Sequence, residues 1–415
     1  MENIKILQFG EGNFLRAFID WMMEENSIMV VKPRPGKGLE RLLNINCRYQ
    51  VALQGLLDGK EVNTIEEVKS IAGAINPYEQ HAEYLSLAEM PSLRFVVSNT
   101  TEAGIVYDDS CQFSDAPALS FPGKLTQLLY HRWQYFKGDN AKGLVILPCE
   151  LIFHNAKELR LCVDQYVAQW QLEEAFQQWL NEACVFCNTL VDRIVPGGED
   201  YAVVKAEPYH LWVIEGAENL RDELPLRKQD FNIVFTDNEQ PYHQRKVTML
   251  NGPHTALSAV GHLAGLETVR DCMLHPQLSL YIDKVMMEEL LPTVDLPREE
   301  MEAFAADVRD RFLNPFVRHM LTSIMLNNLS KYRTRDLPAL KWHIAQSGKL
   351  PEALTLALAA NLICAEVTDI RACLSDTATW GENLTEIPGL LAAVEQYVAE
   401  INANGMLSML GFMDH

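Results

Sequence analysis

Four apolar residues in IKILQF (4–9) run straight into Gly10-Glu11-Gly12, and a helical pattern, FLRAFIDWMMEE, begins two residues later. A second apolar strand, SIMVVK (27–32), follows after about one helix length. A strand, a glycine turn, a helix and a returning strand make a βαβ unit, which commits the start of the chain to an open parallel sheet covered by helices. The turn also puts backbone N–H groups at a helix N-terminus, where a dinucleotide pyrophosphate binds. Gly10 permits the tight turn and Gly12 lets the backbone approach the phosphates, with Asn13 and Phe14 next in line. The third glycine of the usual pattern is Leu15, and the neighbouring Arg16 is either a charge for the phosphates or a solvated helix residue. A plain strand-to-helix turn is the simpler alternative for the glycines, but the flanking strand and helix are the context the motif requires.

An acidic residue ending the second strand would grip the ribose hydroxyls of NAD. Val30-Val31-Lys32-Pro33-Arg34 carries two cations there instead, so NAD and NADP both stay open at this point. CRYQVALQGLLDGKEVNTIEEVKSIAGAI (47–75) reads as antiparallel strands around an Asp58-Gly59 turn, an insertion into the nucleotide domain. The parallel pattern resumes with LRFVVSNT, a helix near 124–136, GLVILPCE, a helix near 156–180 and VFCNTLVDRIV. Two strand ends deliver polar groups to the carboxyl edge, where open α/β sheets bind ligands. These are Ser98-Asn99-Thr100-Thr101-Glu102 and Leu151-Ile152-Phe153-His154-Asn155. YAVVKA, HLWVIE and FNIVFT close the region near Asp237, and from about residue 244 the pattern is helical. A chain of 415 residues exceeds one usual core. The expected architecture is α/β: a Rossmann-type doubly wound sheet with an antiparallel insertion over 1–240, then an all-α domain over 241–415.

Charge narrows the partners. With 35 basic against 56 acidic residues the net charge is −21, which argues against nucleic acid and anionic membrane. An anionic substrate would need its own local basic cluster. No apolar run has membrane-spanning length, and the N-terminus lacks a signal-peptide layout. Cys184-x-x-Cys187 has no second pair or histidines at ligand spacing, so no metal site is expected and the cysteines read as reduced core residues of a cytoplasmic protein.

KVTMLNGPHTAL (246–257) places Lys246, Asn251 and His254 among apolar positions suited to a buried helix. In an α-helix Asn251 and His254 lie about 140° and about 80° around from Lys246, so the three fit one broad face. A capped or kinked core helix explains such a triplet too. The helix follows a nucleotide domain, however, a position that faces the nicotinamide in many two-domain dehydrogenases. A carbonyl accepting hydride becomes an alkoxide, which needs a proton donor and hydrogen-bond donors. A desolvated lysine can donate that proton, Asn251 can offer an amide N–H, and His254 can hold a neighbouring hydroxyl. Pro253 cannot donate to the Met249 carbonyl, so the helix is expected to bend there.

These residues resemble the polyol-specific long-chain dehydrogenases, the mannitol dehydrogenase family. Its Lys-x4-Asn-x2-His signature matches Lys246, Asn251 and His254 without a gap, whereas its Gly-x-Gly-x-Phe-x-Arg start matches loosely as Gly10, Gly12 and Arg16. ILQFGEGNFLRAFIDW is most similar to members that reduce a ketouronate, tagaturonate, to the aldonate altronate, and VSNTTEAG, VDRIVP and RFLNP carry the likeness along the chain. The resemblance implies a metal-independent, NAD-dependent reductase of hexuronate catabolism, with fructuronate or fructose as rival substrates. It implies that Lys246 is the general acid/base, that Asn155 and Asn251 stabilise the oxyanion, and that His254 and Lys331 bind substrate. The mannitol-specific members have an arginine eight residues before that lysine, where this chain has Ser323. Lys331, Arg333 and Arg335 in LSKYRTR form the basic cluster a carboxylate requires. A dinucleotide-binding sensor without catalysis is the rival from another class, and it would have no need of the lysine.

Overall fold

Apolar residues on both faces of a strand demand cover on both sides, and the short runs ILQF, IMVV, FVVS and VILP are buried throughout. The computed structural model describes residues 4–36, 38–101, 103–196, 198 and 200–412. In chain order its strands are β1 (Ile6–Phe9), β2 (Ile28–Val31), β3 (Tyr49–Leu57), β4 (Lys60–Val68), β5 (Ile71–Ile75), β6 (Phe95–Ser98), β7 (Val145–Pro148), β8 (Val185–Phe186), β9 (Thr189–Asp192), β10 (Val203–Ala206), β11 (Leu211–Glu215) and β12 (Ile233–Thr236). Six of them form one sheet in the order β5-β2-β1-β6-β7-β8, parallel at every pairing. The order reverses between β1 and β6, so the loops after Phe9 and Ser98 flank the crevice where doubly wound sheets take their ligands.

The helix expected near 156–180 is two, Asn155–Gln169 and Glu174–Glu182, and three other expected elements come out differently. IAGAI is not part of an antiparallel insertion but the parallel edge strand β5 beside β2. Its small residues allow the close fit, since a Cβ on Gly73 would meet Met29 Cε at 3.3 Å. VFCNTLVDRIV splits at Asn188: β8 ends the main sheet, and β9 pairs antiparallel with β11 in a second sheet, β12-β11-β9. The Asn188 Oδ1 accepts hydrogen bonds from Ala156 N and Lys157 N at the start of the helix Asn155–Gln169, which fixes the break. A third sheet, β10-β3-β4, contains the expected hairpin, whose Asp58 (φ 52°) and Gly59 (φ 70°) both take the left-handed conformation of a two-residue turn. The chain divides into two compact units. One runs to Gln54 and takes Asn63–Glu239; the other takes Gly55–Val62 and Gln240 onward. Beyond Gln240 the regular elements of the described residues are helices, apart from the bridge Thr268–Met320. None of the helices among the described residues is long and apolar enough to cross a membrane.

The third difference lies under the glycine turn. FLRAFIDWMMEE does not form one helix but two single turns, Asn13–Arg16 and Ile19–Met22. Four carbonyls in this stretch receive side chains from distant parts of the chain, one of them Trp21 O from Arg227 Nε. Tyr49 Oη donates to Arg16 O at 2.9 Å, Arg193 Nη1 to Ala17 O at 2.6 Å, and Ser70 Oγ to Asp20 O at 2.7 Å. Asp20, 1% exposed, has Oδ2 2.8 Å from Tyr49 Oη, while Gln8 Nε2 donates to Gly10 O at 3.1 Å. A buried polar cluster therefore ties the glycine turn to the strand before it and the helical turns after it.

Burial pushes the Asp20 carboxyl up to about 7, against the opposing pull of Tyr49, Gln8 and the Arg16 charge. An acid raised from 3.8 holds its proton more tightly when folded, so its contribution to stability is full below pH ~4 and is lost as pH rises through 7. Wild type should therefore lose stability between pH 4 and 8, by a few kcal/mol at most, to an extent that Asp20→Asn does not. Denaturant unfolding of both proteins across that range measures the difference. An identical pH dependence would show that Asp20 does not titrate in the fold.

Candidate active site

In the first unit the turn after β1 is built for close approach. Gly10 sits at φ +126°, and a Cβ there would lie 2.9 Å from Asn99 O. Gly12 is exposed at the start of Asn13–Arg16, and a Cβ on it would meet nothing within 4 Å. Asn13 and Phe14 are half-buried behind it, with Phe14 stacked on Phe18 at 5.0 Å. The loop after β6 is held by a buried carboxylate. Glu150 accepts from Ser98 Oγ at 3.0 Å, Thr100 N at 2.8 Å and Thr100 Oγ1 at 2.9 Å. Burial raises this carboxyl and those hydrogen bonds oppose the rise. Asn99 Nδ2 donates to Cys149 O at 2.7 Å. Thr101, at φ +73°, accepts from Arg34 Nη2 at 3.0 Å, and the same nitrogen lies 3.0 Å from Thr100 O. Arg34, Thr100, Gly104, Ser120 and Phe121 line a cavity of about 320 Å³ beside these loops. A bare backbone at Gly12, the fixed loop 99–101 and this cavity fit a dinucleotide. Glu102 lies outside the described residues.

Arg16 does not stand at that turn as a phosphate cation. It is 0% exposed, its guanidinium lies 4.1 Å from the Tyr49 ring and 4.0 Å from the Tyr201 ring, and Nη2 donates to Tyr201 O at 2.6 Å. Asn155 is equally committed to the fold. Its Nδ2 donates to Pro148 O, Glu150 O and Thr189 O at 3.0, 3.1 and 3.0 Å, and its Oδ1 accepts from Thr189 N at 3.0 Å. That amide staples the ends of β7 and β9, and its protons are spent on backbone.

In the second unit the Lys246 helix takes an unexpected form. Gln240–Lys246 is α-helical, Val247–Asn251 is a π turn, and α-helix resumes over Gly252–Leu263. Gly252 N–H bonds to Val247 O, five residues back. A turn closed five residues back is wider than an α-turn, so Asn251 lies closer in angle to Lys246 than the about 140° of a regular α-helix. The wide turn also absorbs the donor that Pro253 lacks, so the interruption is a local widening of the helix. Lys246 and Asn251 are half-buried. His254 is 8% exposed, with its ring 4.1 Å from Phe312 and 4.8 Å from His319. Burial, helped by His319, Arg311 and Arg335, holds it well below the ordinary histidine range, so it is neutral at pH 7.

The basic stretch lies on the helix Asn328–Arg335. Lys331 Nζ donates to Ile324 O at 2.7 Å, and burial followed by the Arg335 charge lowers its pKa. Arg333 does not join that face: it is exposed, donates to Thr379 O at 3.1 Å and abuts Gly381. Arg335 does join it, through Thr255 Oγ1 at 3.1 Å. The available signal was its spacing, four residues after Lys331 and so on the same helix face. Glu150 was the other omission, an acid at the carboxyl end of a buried strand. Among the described residues no three His, Cys, Asp or Glu side chains converge as metal ligands.

The sequence matches the family described as mannitol dehydrogenase Rossmann domain over residues 4–228 and mannitol dehydrogenase C-terminal domain over 238–372. An altronate oxidoreductase of Phocaeicola vulgatus is 46% identical, covering 97% of this chain and 95% of that protein. The Bacillus subtilis altronate oxidoreductase is 40% identical over 97% of this chain and 93% of its own. Among solved structures, Pseudomonas fluorescens mannitol 2-dehydrogenase in ternary complex with NAD and D-mannitol superposes with a TM-score of 0.68 at 20% identity, covering 99% of this chain and 94% of that one. A substrate-free D-sorbitol dehydrogenase gives 0.78 at 19% identity, covering 98% and 95%.

The two glycines separate folding from binding. Gly10→Ala forces a side chain into a strained φ against Asn99 O and should lower both Tm and NADH affinity. Gly12→Val meets no protein atom, so it should leave Tm within a few degrees of wild type while weakening NADH binding by about tenfold or more. Thermal melts and NADH fluorescence titration check both. Unchanged affinity in Gly12→Val would place the dinucleotide elsewhere.

Proposed function

Because this chain belongs to the mannitol dehydrogenase family and is matched over nearly its whole length by altronate oxidoreductases, we propose that it is an NAD-dependent reductase converting tagaturonate to altronate, reversibly. Residues up to about 240 hold the dinucleotide and those beyond carry the proton chemistry. The nicotinamide, when bound, supplies or accepts the hydride.

The observation that carries most weight is the π turn over Val247–Asn251, which lies between Lys246 and a buried, neutral His254 and brings Asn251 nearer in angle to the lysine. Hydride arrival at a ketone carbon leaves negative charge on its oxygen. Lys246 gives that oxygen a proton, and in the reverse direction removes the alcohol proton. The Asn251 amide donates to the same oxygen while its charge develops. His254, uncharged, can donate to or accept from a substrate hydroxyl without drawing the acid's proton. Gly12 with Asn13 holds the phosphates, Thr100 and Thr101 shape the floor beside them, and Asn155 supports this edge by joining β7 to β9. Lys331 carries positive charge toward an acidic sugar on a protein whose net charge of −21 otherwise repels it.

Purified enzyme should oxidise NADH with tagaturonate at a kcat/KM at least tenfold above that with fructuronate or fructose, the scale of one or two well-made polar contacts. It should yield altronate, and the rate should survive exhaustive chelation with EDTA. Faster turnover of fructose would overturn the uronate assignment, and loss of activity to EDTA with recovery on adding zinc would overturn the lysine chemistry.

A further inference from the structure

One cation of the second unit, Arg335, is tethered to the Lys246 helix without an ion pair. Arg335 spends a single nitrogen on the fold: Nη1 donates to Thr255 Oγ1 at 3.1 Å and lies 3.5 Å from Asn251 O. Thr255 Oγ1 in turn donates to Asn251 O at 3.1 Å. The guanidinium is thus anchored by one corner to the residue whose amide faces the reacting oxygen. Its charge reaches both His254 and Lys331, lowering the pKa of each. Among the described residues it has no ion pair. The adjacent carboxyl, Asp336, is 0% exposed, with neither oxygen hydrogen-bonded, and burial raises it well above the usual carboxylate range. The Arg335 charge opposes that rise, but no hydrogen bond joins the two side chains. An arginine fixed at one nitrogen, with the rest of its planar fork uncommitted, suits two-point capture of a carboxylate.

We propose that Arg335, and not Arg333, binds the substrate carboxylate and sets the preference for sugar acids over neutral sugars. The assignment rests on the reading of the enzyme as a ketouronate reductase and names the residue that would make it one. Lys331, four residues earlier on the same face, stands beside the same anion. Arg333, two residues away around the helix and bonded to Thr379 O, takes no part.

The test compares wild type, Arg335→Gln and Arg335→Lys in steady-state NADH oxidation with tagaturonate and with fructose. Tm and NADH affinity are measured alongside. Arg335→Gln should lose about 10–100-fold in kcat/KM toward the uronate, mostly as raised KM, the worth of a charge-assisted pair. Its loss toward fructose should be smaller. Arg335→Lys keeps a charge and the Thr255 contact but not the fork, and should fall between the two on the uronate alone; it decides the matter should the glutamine variant fold poorly. Equal losses on both substrates would make Arg335 a helix support and overturn this assignment while leaving the ketouronate reading intact. A wild type that reduces no ketouronate would overturn both.

Discussion

The hydrogen bond from Gly252 N–H to the Val247 carbonyl is one residue longer than an α-helix makes, and the chemistry of the helical unit follows from it. Proline at 253 cannot supply the donor that a regular helix needs four residues after Met249. The chain answers by widening one turn, which brings the residue five after Lys246 nearer to it in angle. Gly252 fits because a Cβ there would lie 2.7 Å from Asp336 Oδ1. A helix without the proline would place Asn251 well around from the lysine. In the proposed mechanism this turn brings together the donors for the oxyanion, with His254 held neutral by burial.

The same economy appears at the dinucleotide end. A glycine turn is conformationally loose by itself, and here buried polar contacts hold it: Gln8 from β1, Asp20 and Tyr49 beneath, and Glu150 gripping the loop after β6. Buried acids left uncompensated cost stability. These two hold the glycine turn and the loop after β6 in place.

Much of this was legible in the chain itself. Four short apolar runs, each followed by turn residues, could only be buried parallel strands, and the lysine, asparagine and histidine in one helix declared a polar face. The features that were not legible depend on partners far away in sequence. The break at Phe18 follows from Tyr49, Ser70 and Arg193, which lie outside any local window. IAGAI carries too little bulk to announce a strand, since its small residues serve contact with Met29. Asn155 and Arg16 have the residue types of ligand-binding groups, yet backbone carbonyls and tyrosine rings claim them. Arg333 and Arg335 are indistinguishable by composition; only the helix phase, set by Lys331, separates them.

The proposed proton transfer centres on Lys246. Its direct measurement is single-turnover reduction of tagaturonate by Lys246→Ala, with NADH affinity determined on the same protein. If the lysine is the proton donor, the rate falls by about two to four orders of magnitude, the usual worth of a general acid, with NADH bound as in wild type. A variant that keeps most of its rate would contradict the role given to the π turn and the lysine before it.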